Sequence, residues 1–223
     1  AAADVYKRQP WELGGLSLAA SVVLDPVTMI AGEVSEVSGT INTATWTTSY
    51  VYYVTDDITV PSGETLTINA GVRVKFYEGK GMTVNGKLLA NGTADNHVLF
   101  TSKEPTPLPG DWGNIDLNGR DNILTYVDYS YATDGITGSD VDHTTIDHLS
   151  INGNLALAAR GIYFTSGDSL TITNNYIDVD GAEGIYANNA TYSDISSNTI
   201  ITPSYGILAY YCSYCSINEN NIN

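Results

Sequence analysis

Apolar and polar positions repeat with a fixed period along residues 161–223. A Gly-Ile pair opens three successive units at Gly161, Gly184 and Gly206, with spacings of 23 and 22 residues. In each unit isoleucines recur eleven and sixteen positions after the glycine, and an asparagine recurs fourteen positions after it. A looser copy begins at Gly135 and carries Leu149 in place of the asparagine. A fixed period of this size indicates stacked structural units rather than one irregular globule.

Each unit contains short apolar–polar–apolar triplets, such as Leu170–Ile172 and Ile177–Val179, separated by Asn, Gly, Asp and Ser. Alternation with a period of two between turn-forming residues predicts short β-strands, and no unit has an apolar run with helical spacing. Three short strands in about 22–24 residues correspond to one coil of a parallel β-helix, whose coils stack about 4.8 Å apart. The pattern therefore predicts an all-β solenoid, a single-stranded parallel β-helix with coils of about 22–24 residues.

Equivalent positions of successive coils should form columns inside this solenoid. Two isoleucine columns are predicted to face the interior: Ile136, Ile162, Ile185 and Ile207 in the first, and Ile146, Ile172, Ile195 and Ile217 in the second. The recurring asparagines are Asn175, Asn198 and Asn220. We expect them to stack inside a bend, with each amide bonded to the next coil, because a buried amide must find hydrogen-bond partners.

The Gly-Ile and Ile-x-x-Asn-x-Ile patterns resemble the right-handed parallel β-helix of the pectin-lyase-like superfamily, including its asparagine ladder. Three earlier stretches, Ile58–Phe76, Val84–Gly86 and Pro109–Gly113, resemble the opening coils of bacterial and archaeal surface proteins of that superfamily. The resemblance covers about Gly39 to the end of the chain and implies a right-handed parallel β-helix. It says little about activity, since this fold carries lyases, hydrolases, adhesins and phage tailspikes alike.

The β pattern before the regular repeats predicts further coils. Short strands are expected at Tyr50–Val54, Ile58–Val60 and Leu66–Ile68, with Asp56 and Asp57 in a turn between the first two.

A later coil is recognised by its spacing, because Val98 and Phe100 repeat Val74 and Phe76 at a distance of 24 residues. Trp112 precedes a predicted strand, and we expect it to pack at a corner of a coil rather than to contact a ligand.

The two ends of the chain carry separate expectations. Residues 1–10 match nothing later in the sequence and look like a translated adapter or cloning scar. Residues 11–38 contain the small apolar stretch Leu13–Leu24, which is either the remnant of a secretion signal or an N-terminal capping strand. The β-helix is then expected over residues 39–223, where it stops partway through a coil. An uncapped coil leaves open backbone groups, so we expect a fragment truncated at its C-terminal end.

The charge balance narrows the range of partners. Nine Lys and Arg residues against 25 Asp and Glu residues give a net charge of −16, which argues against nucleic acid or anionic lipid as a partner. No stretch has transmembrane length, so no membrane insertion is expected. No EF-hand or nonapeptide calcium loop is present, and no metal or other cofactor is predicted. These features favour a secreted protein, extracellular or at the cell surface.

The two cysteines form a lone Cys-x-x-Cys at Cys212 and Cys215. The repeat places Cys215 in an inward column with Leu170 and Ser193, and Cys212 in the preceding bend. A redox motif would require a strand followed by a helix, and a zinc site would require a second pair of ligands. A small buried side chain next to a bend residue is the favoured interpretation, with a local disulfide between the two cysteines left open.

Outward positions of the repeats carry tyrosines that are candidates for ligand binding. They are Tyr163, Tyr186, Tyr192, Tyr210 and Tyr214. Aromatic rings flanked by hydroxyls and amides suit sugar binding, because a ring covers the apolar C–H face of a sugar while polar neighbours bond its hydroxyls. The competing interpretation is that tyrosine has a high β-propensity and fits a half-exposed strand.

Three outward residues form the candidate catalytic group: His143, Asp147 and Asp194. Glycoside hydrolysis needs two carboxylates about 5–9.5 Å apart, and these aspartates are expected two coils apart, at about 9–10 Å. His143 is about 13 Å from Asp147 along one strand. Solvated surface residues are the competing interpretation for all three.

The resemblance leaves two functional hypotheses of different classes. The first is a non-catalytic secreted or cell-surface module, an adhesin or stalk, that contacts a polysaccharide or a cell-surface glycan. The alternative is a polysaccharide lyase or glycoside hydrolase that uses the outward β-face as a cleft. Pectate-lyase-like enzymes carry an Arg or Lys base facing a carboxylate cluster, and Arg160 has Asp134 and Glu183 in neighbouring bends. The Gly-His-Gly signature of the polygalacturonase-like enzymes is missing, which favours the first hypothesis.

Overall fold

All regular secondary structure among the described residues is β-strand. The computed structural model describes residues 33–152, 155–157, 159–181 and 183–223, and these residues contain 21 strands and no helix. Consequently, this part of the chain has no helix that is long and apolar enough to cross a membrane. The assignment made for residues 1–10, and that for residues 11–38 as far as residue 32, lie outside the described residues.

The strands form three faces of a coiled chain. Face A contains the end of β3 (Tyr50–Val60), β6 (Met82–Val84), β9 (Ile115–Leu117), β11 (Ile136–Gly138), β13 (Ile162–Phe164), β16 (Ile185–Asn188) and β19 (Ile207–Tyr210). Face B contains β2 (Ala44–Trp46), β4 (Thr65–Asn69), β7 (Lys87–Asn91), the starts of β10 (Ile123–Tyr129) and β12 (Thr145–Asn152), β14 (Thr171–Thr173), β17 (Asp194–Ser196) and β20 (Ser216–Asn218). Face C contains the starts of β1 (Glu33–Thr40) and β3, β5 (Arg73–Phe76), β8 (Val98–Ser102), the ends of β10 and β12, β15 (Tyr176–Asp178), β18 (Thr199–Ile201) and β21 (Asn221–Ile222), whereas the end of β1 pairs with the end of β3 on face A.

Strands of each face pair in parallel with their equivalents in the coils before and after. Along face A the paired residues are Ile58, Met82, Ile115, Ile136, Ile162, Ile185 and Ile207. This arrangement is a parallel β-helix of about eight coils, which confirms the predicted fold. Glu33, the first described residue, already pairs with β3, so residues 33–38 of the segment 11–38 belong to the β-helix.

The two predicted isoleucine columns line the interior. Ile162 and Ile185 of the first column, and Ile172 and Ile195 of the second, have no exposed surface. In the last coil Ile207 is only partly buried and Ile217 is 45% exposed, so the prediction of an interior position is not met at Ile217. Both columns continue into the coils that precede the regular repeats, where Ile115 belongs to the first column. Stacking of like side chains therefore buries a continuous apolar core from only one or two residues per strand.

The glycines of the Gly-Ile pairs are required by the closeness of neighbouring coils. The backbone N–H of Ile136 donates to the carbonyl of Gly161 at 2.9 Å, and that of Ile162 donates to Gly184 at 2.9 Å. A Cβ on Gly135 would lie 1.8 Å from the Gly161 carbonyl oxygen, and a Cβ on Gly161 would lie 2.3 Å from that of Gly184. Only glycine fits such an approach, which explains the most regular feature of the sequence repeat.

The register between β5 and β8 differs from the sequence prediction. The expected 24-residue spacing is wrong, because Val74 pairs with Phe100 rather than with Val98. A shift of two residues keeps the same side chains facing inward, so alternation alone could not distinguish the two registers. Likewise, Asp56 and Asp57 do not separate two strands, since β3 runs unbroken through them.

The predicted asparagine ladder is present. The side-chain oxygen of Asn198 accepts from both the backbone N–H (3.0 Å) and the amide (2.9 Å) of Asn175, and Asn220 accepts from Asn198 in the same way. The Asn198 amide also donates to the carbonyl of Ile172 at 2.9 Å. A further buried asparagine, Asn122, closes a bend on the other side of face B and was not predicted.

Other predicted packing details are also confirmed. Trp112 is fully buried and stacks on Phe76 at 4.0 Å between ring centroids, and its indole N–H donates to the carbonyl of Ser130. Cys212 and Cys215 form a disulfide, the alternative that the sequence left open.

Candidate functional site

A groove of about 520 Å³ crosses the outer surface of face A. Asp116 on β9, Thr137 on β11 and Tyr163 on β13 lie in register on three successive coils, with side chains pointing outward between inward neighbours. Asn114 precedes β9, and Arg160 precedes β13, so both reach the groove from bends. Its volume lies within the range of about 300–1,000 Å³ that is usual for ligand sites.

Hydrogen bonds across two coils fix the polar side chains of the groove. The carboxylate of Asp116 accepts from the Thr137 hydroxyl at 2.8 Å and from the Asn118 amide at 2.7 Å. The Asn114 amide donates to the Thr137 hydroxyl oxygen at 2.7 Å. The groove is therefore preorganised, with amide and hydroxyl groups held in place around one carboxylate.

Arg160 forms the charged edge of the groove. Its Nε donates to the Asp134 carboxylate at 3.0 Å, its Nη2 contacts the same oxygen, and its guanidinium lies 3.9 Å from the ring centroid of Tyr163. Burial by itself lowers the pKa of Arg160, but the hydrogen bond and the charge of Asp134 outweigh it and raise that pKa. The guanidinium is therefore a fixed cation, already paired with one carboxylate and one aromatic ring.

Three of the predicted tyrosines form a ladder that continues the groove along face A. The rings of Tyr163 and Tyr186 are stacked with centroids 4.4 Å apart, and Tyr210 lies 5.9 Å from Tyr186. With Arg160 over one face of Tyr163 and Tyr186 on the other, both faces of that ring are occupied within the protein. Burial, and then the neighbouring tyrosines and Glu183, raise the pKa of Tyr186, so its hydroxyl stays protonated. A ligand therefore meets ring edges and hydroxyl groups rather than open ring faces.

Tyr192 and Tyr214 lie away from this ladder, in the bend that leads into face B. Their rings stack with centroids 5.0 Å apart and planes within 4°, and they are 67% and 81% exposed. Both residues have positive φ, at 53° and 58°, in a column shared with His143 and Ser169. Their positions therefore do not follow from β-propensity, because a left-handed conformation is unfavourable for a bulky side chain.

The three candidate catalytic residues are not brought together. Asp147 pairs in register with Thr173, whereas Asp194 pairs with Thr171, so the two aspartates are displaced along the strand as well as by two coils. Combining the two displacements gives about 12 Å, beyond the separation of about 9.5 Å that hydrolysis tolerates. His143 lies in a bend with its Nδ1 3.8 Å from Asp121.

His148 is the partner of Asp147 that sequence reasoning missed. Its Nδ1 lies 2.7 Å from the Asp147 carboxylate, and its ring stacks on Tyr126 at 4.3 Å. Positive φ at His148 turns the chain inside β12, so two consecutive side chains point outward and the alternating pattern is broken. Burial raises the pKa of Asp147, but hydrogen bonds from Asn174, His148 and Thr173 outweigh it and keep that pKa below its usual value. The carboxylate therefore stays ionised and is poorly suited to act as a general acid.

Two family models match consecutive, overlapping parts of the chain. Residues 39–140 match a pectate-lyase like beta helix domain, and residues 114–223 match the periplasmic copper-binding protein NosD. An 87-residue stretch is 33% identical to Protein bark beetle of Drosophila melanogaster, covering 38% of this chain and 3% of that protein. No solved structure matches the chain. The resemblance to pectin-lyase-like β-helix repeat proteins is thereby confirmed.

Proposed function

We propose that this β-helix, pectate-lyase-like in its first part and NosD-like in its second, is a non-catalytic extracytoplasmic module that binds a polysaccharide along face A. The observation that carries the proposal is a continuous outward row of polar and aromatic side chains. It runs through Asp116, Thr137, Tyr163 and Tyr186, one residue per coil, and contacts within the protein hold each of them. An adhesin or stalk at a cell surface is the role that fits such a module.

A polysaccharide matches this row in chemistry and in spacing. The groove offers hydroxyl, amide and carboxylate groups that can donate hydrogen bonds to sugar hydroxyls or accept hydrogen bonds from them. The tyrosine ladder adds further hydroxyl groups. The coils repeat about every 4.8 Å, which is close to the length of one pyranose ring along an extended chain. Because Asp116 and Arg160 are already fixed by their partners, little conformational entropy is lost on binding.

Two observations support an extracytoplasmic location. The disulfide between Cys212 and Cys215 is typical of proteins from oxidising compartments, such as the periplasm and the cell exterior. The matching NosD family is described as periplasmic. Display at the cell surface or secretion is part of the proposal.

A lyase or hydrolase of the same fold is the alternative, and the described residues give it less support. Asp147 and Asp194 are separated by about 12 Å along and across the strands, too far to flank one glycosidic bond. Arg160 is bound to Asp134 and covered by Tyr163, so its guanidinium is not free to take a proton from a sugar.

The description of the NosD family names copper, a metal that proteins hold with imidazole and sulfur ligands. Among the described residues, no group of three or more His, Cys, Asp and Glu side chains could hold a metal ion. Both cysteines are used in the disulfide, and His97 and His148 lie on either side of the Tyr126 ring. This donor set does not fit a copper centre, and the proposed function includes none.

The test measures binding and cleavage with the same polysaccharide panel. Titration calorimetry of the wild type is compared with Tyr163→Ala and Asn118→Ala on face A, and with Tyr53→Ala as a matched outward tyrosine on face C. We expect the two face A variants to bind at least about tenfold more weakly, a loss of about 1.4 kcal/mol, and the Tyr53 variant to bind normally.

Cleavage is followed by the release of reducing ends and of unsaturated products. The proposal predicts that neither kind of product is released. Turnover that Asp147→Ala or Asp194→Ala abolishes would establish the enzymatic alternative, and failure to bind any polysaccharide would leave a purely structural module.

A further inference from the structure

The charged side chains of face A that lack a salt-bridge partner are carboxylates. A second hollow of about 250 Å³ adjoins the groove, shares Asn114 and Asp116 with it, and adds Asp57. Asp116 accepts hydrogen bonds from neutral side chains, and Asp57 accepts from the backbone N–H of Gly81 at 2.9 Å. Within the described residues, neither carboxylate forms a salt bridge, and Asp57 interacts only at longer range with Lys80, whose ammonium group is bound to Asp56.

The cations beside the two hollows are each tied to another carboxylate. Arg160 is held by Asp134, as described above. Lys80, whose neighbours Gly79 and Gly81 line the second hollow, places its Nζ 2.8 Å from Asp56. Face A therefore presents two negative charges without a matching positive one, on a chain whose net charge is −16.

We infer that face A selects polysaccharides that carry no carboxylate or sulfate groups. The inference rests on the proposed function, and it names the class of polysaccharide. An anionic polymer lying along the groove would place its charges within a few ångströms of Asp57 and Asp116, where like charges repel. An uncharged polymer instead brings hydroxyl donors, which form strong hydrogen bonds with ionised carboxylates.

The experiment compares two polymers of similar length, an uncharged glucan and a polyuronate, by titration calorimetry on the whole chain. Each is measured at about 0.02 M and about 0.5 M NaCl, a change that shortens the Debye length several-fold. We expect the glucan to bind with a dissociation constant that changes less than about twofold with salt. The polyuronate should bind at least about tenfold more weakly at low salt and recover partly at high salt.

Two variants distinguish the effect of the local groove charge on binding from the effect of the net charge of the chain. Asp116→Asn keeps the size of the side chain and removes one groove charge, whereas Asp128→Asn removes a charge from face C. Asp116→Asn should improve polyuronate binding by about threefold to tenfold, and Asp128→Asn should leave it within twofold.

Tighter binding of the polyuronate than of the glucan, weakened by salt, would overturn the inference and leave the proposed function intact. Equal responses to the two variants would overturn it as well, since the effect would then come from net charge alone. Binding of neither polymer would refute the proposed function itself.

Discussion

Replacement of Asn198 by alanine tests whether the asparagine ladder holds neighbouring coils together. The Asn198 side chain is almost fully buried, accepts two hydrogen bonds from Asn175, and donates to Ile172 and Asn220. Truncation removes the acceptor of the Asn175 backbone N–H and the donor to the Ile172 carbonyl. Each buried group that loses its partner costs about 1–3 kcal/mol, so we expect a loss of about 4 kcal/mol in the free energy of unfolding.

Urea unfolding followed by circular dichroism measures this loss, and hydrogen exchange at the Asn175 amide locates it. In a chain of this size the melting temperature should fall by roughly 10 °C. Ser196→Ala, an outward change on the same coil, is the control and should stay within about 0.5 kcal/mol of the wild type. If Asn198→Ala were as mild as the control, or left exchange at Asn175 unchanged, the ladder would not have the role described.

Three further perturbations test other contacts. Gly135→Ala should destabilise the protein by at least about 3 kcal/mol, measured by urea unfolding, because the new Cβ would meet the Gly161 carbonyl oxygen; a neutral result would contradict the close approach of the coils. Reduction of the Cys212–Cys215 disulfide should lower the free energy of unfolding by at most about 2 kcal/mol, because the loop that it closes is short. A large fall in the melting temperature on reduction would contradict this expectation. The pKa of Asp147 in the folded protein is held below its usual value by hydrogen bonds. The ionised carboxylate therefore stabilises the fold at pH values above the unfolded pKa of about 3.9, and this stabilisation is lost as the pH falls through the lower folded pKa. Asp147→Asn should therefore lower stability at pH 7 and flatten the loss of stability below about pH 4, and parallel pH profiles for variant and wild type would refute this.

The repeat made the interior predictable and left the bends undetermined. Columns such as Ile162 and Ile185 follow from a period of about 22 residues, because stacked coils place equivalent residues above one another. The register of Val74 does not follow from that pattern, since a shift of two residues preserves the inward face. The left-handed bend residues, such as His148 and Tyr192, are not glycines, so no residue type marked them in the sequence.

The candidate site was predictable in its residues more than in its geometry. Alternation indicated that Tyr163 and Tyr186 point outward, and they do. The pairing of Arg160 with Asp134 joins side chains 26 residues apart, so their direct contact depends on how the bends of two coils are built. The same contact occupies one face of Tyr163, which changes how that ring can meet a sugar.

Carboxyl footprinting tests the glycan-binding account most directly. The chain is labelled with a carbodiimide and an amine, with and without a saturating uncharged polysaccharide, and modification is read at Asp116 in the groove and at Asp128 on face C. The account predicts that the polysaccharide protects Asp116 several-fold and leaves Asp128 unchanged. Equal protection of both carboxylates, or protection of Asp128 alone, would contradict binding along face A.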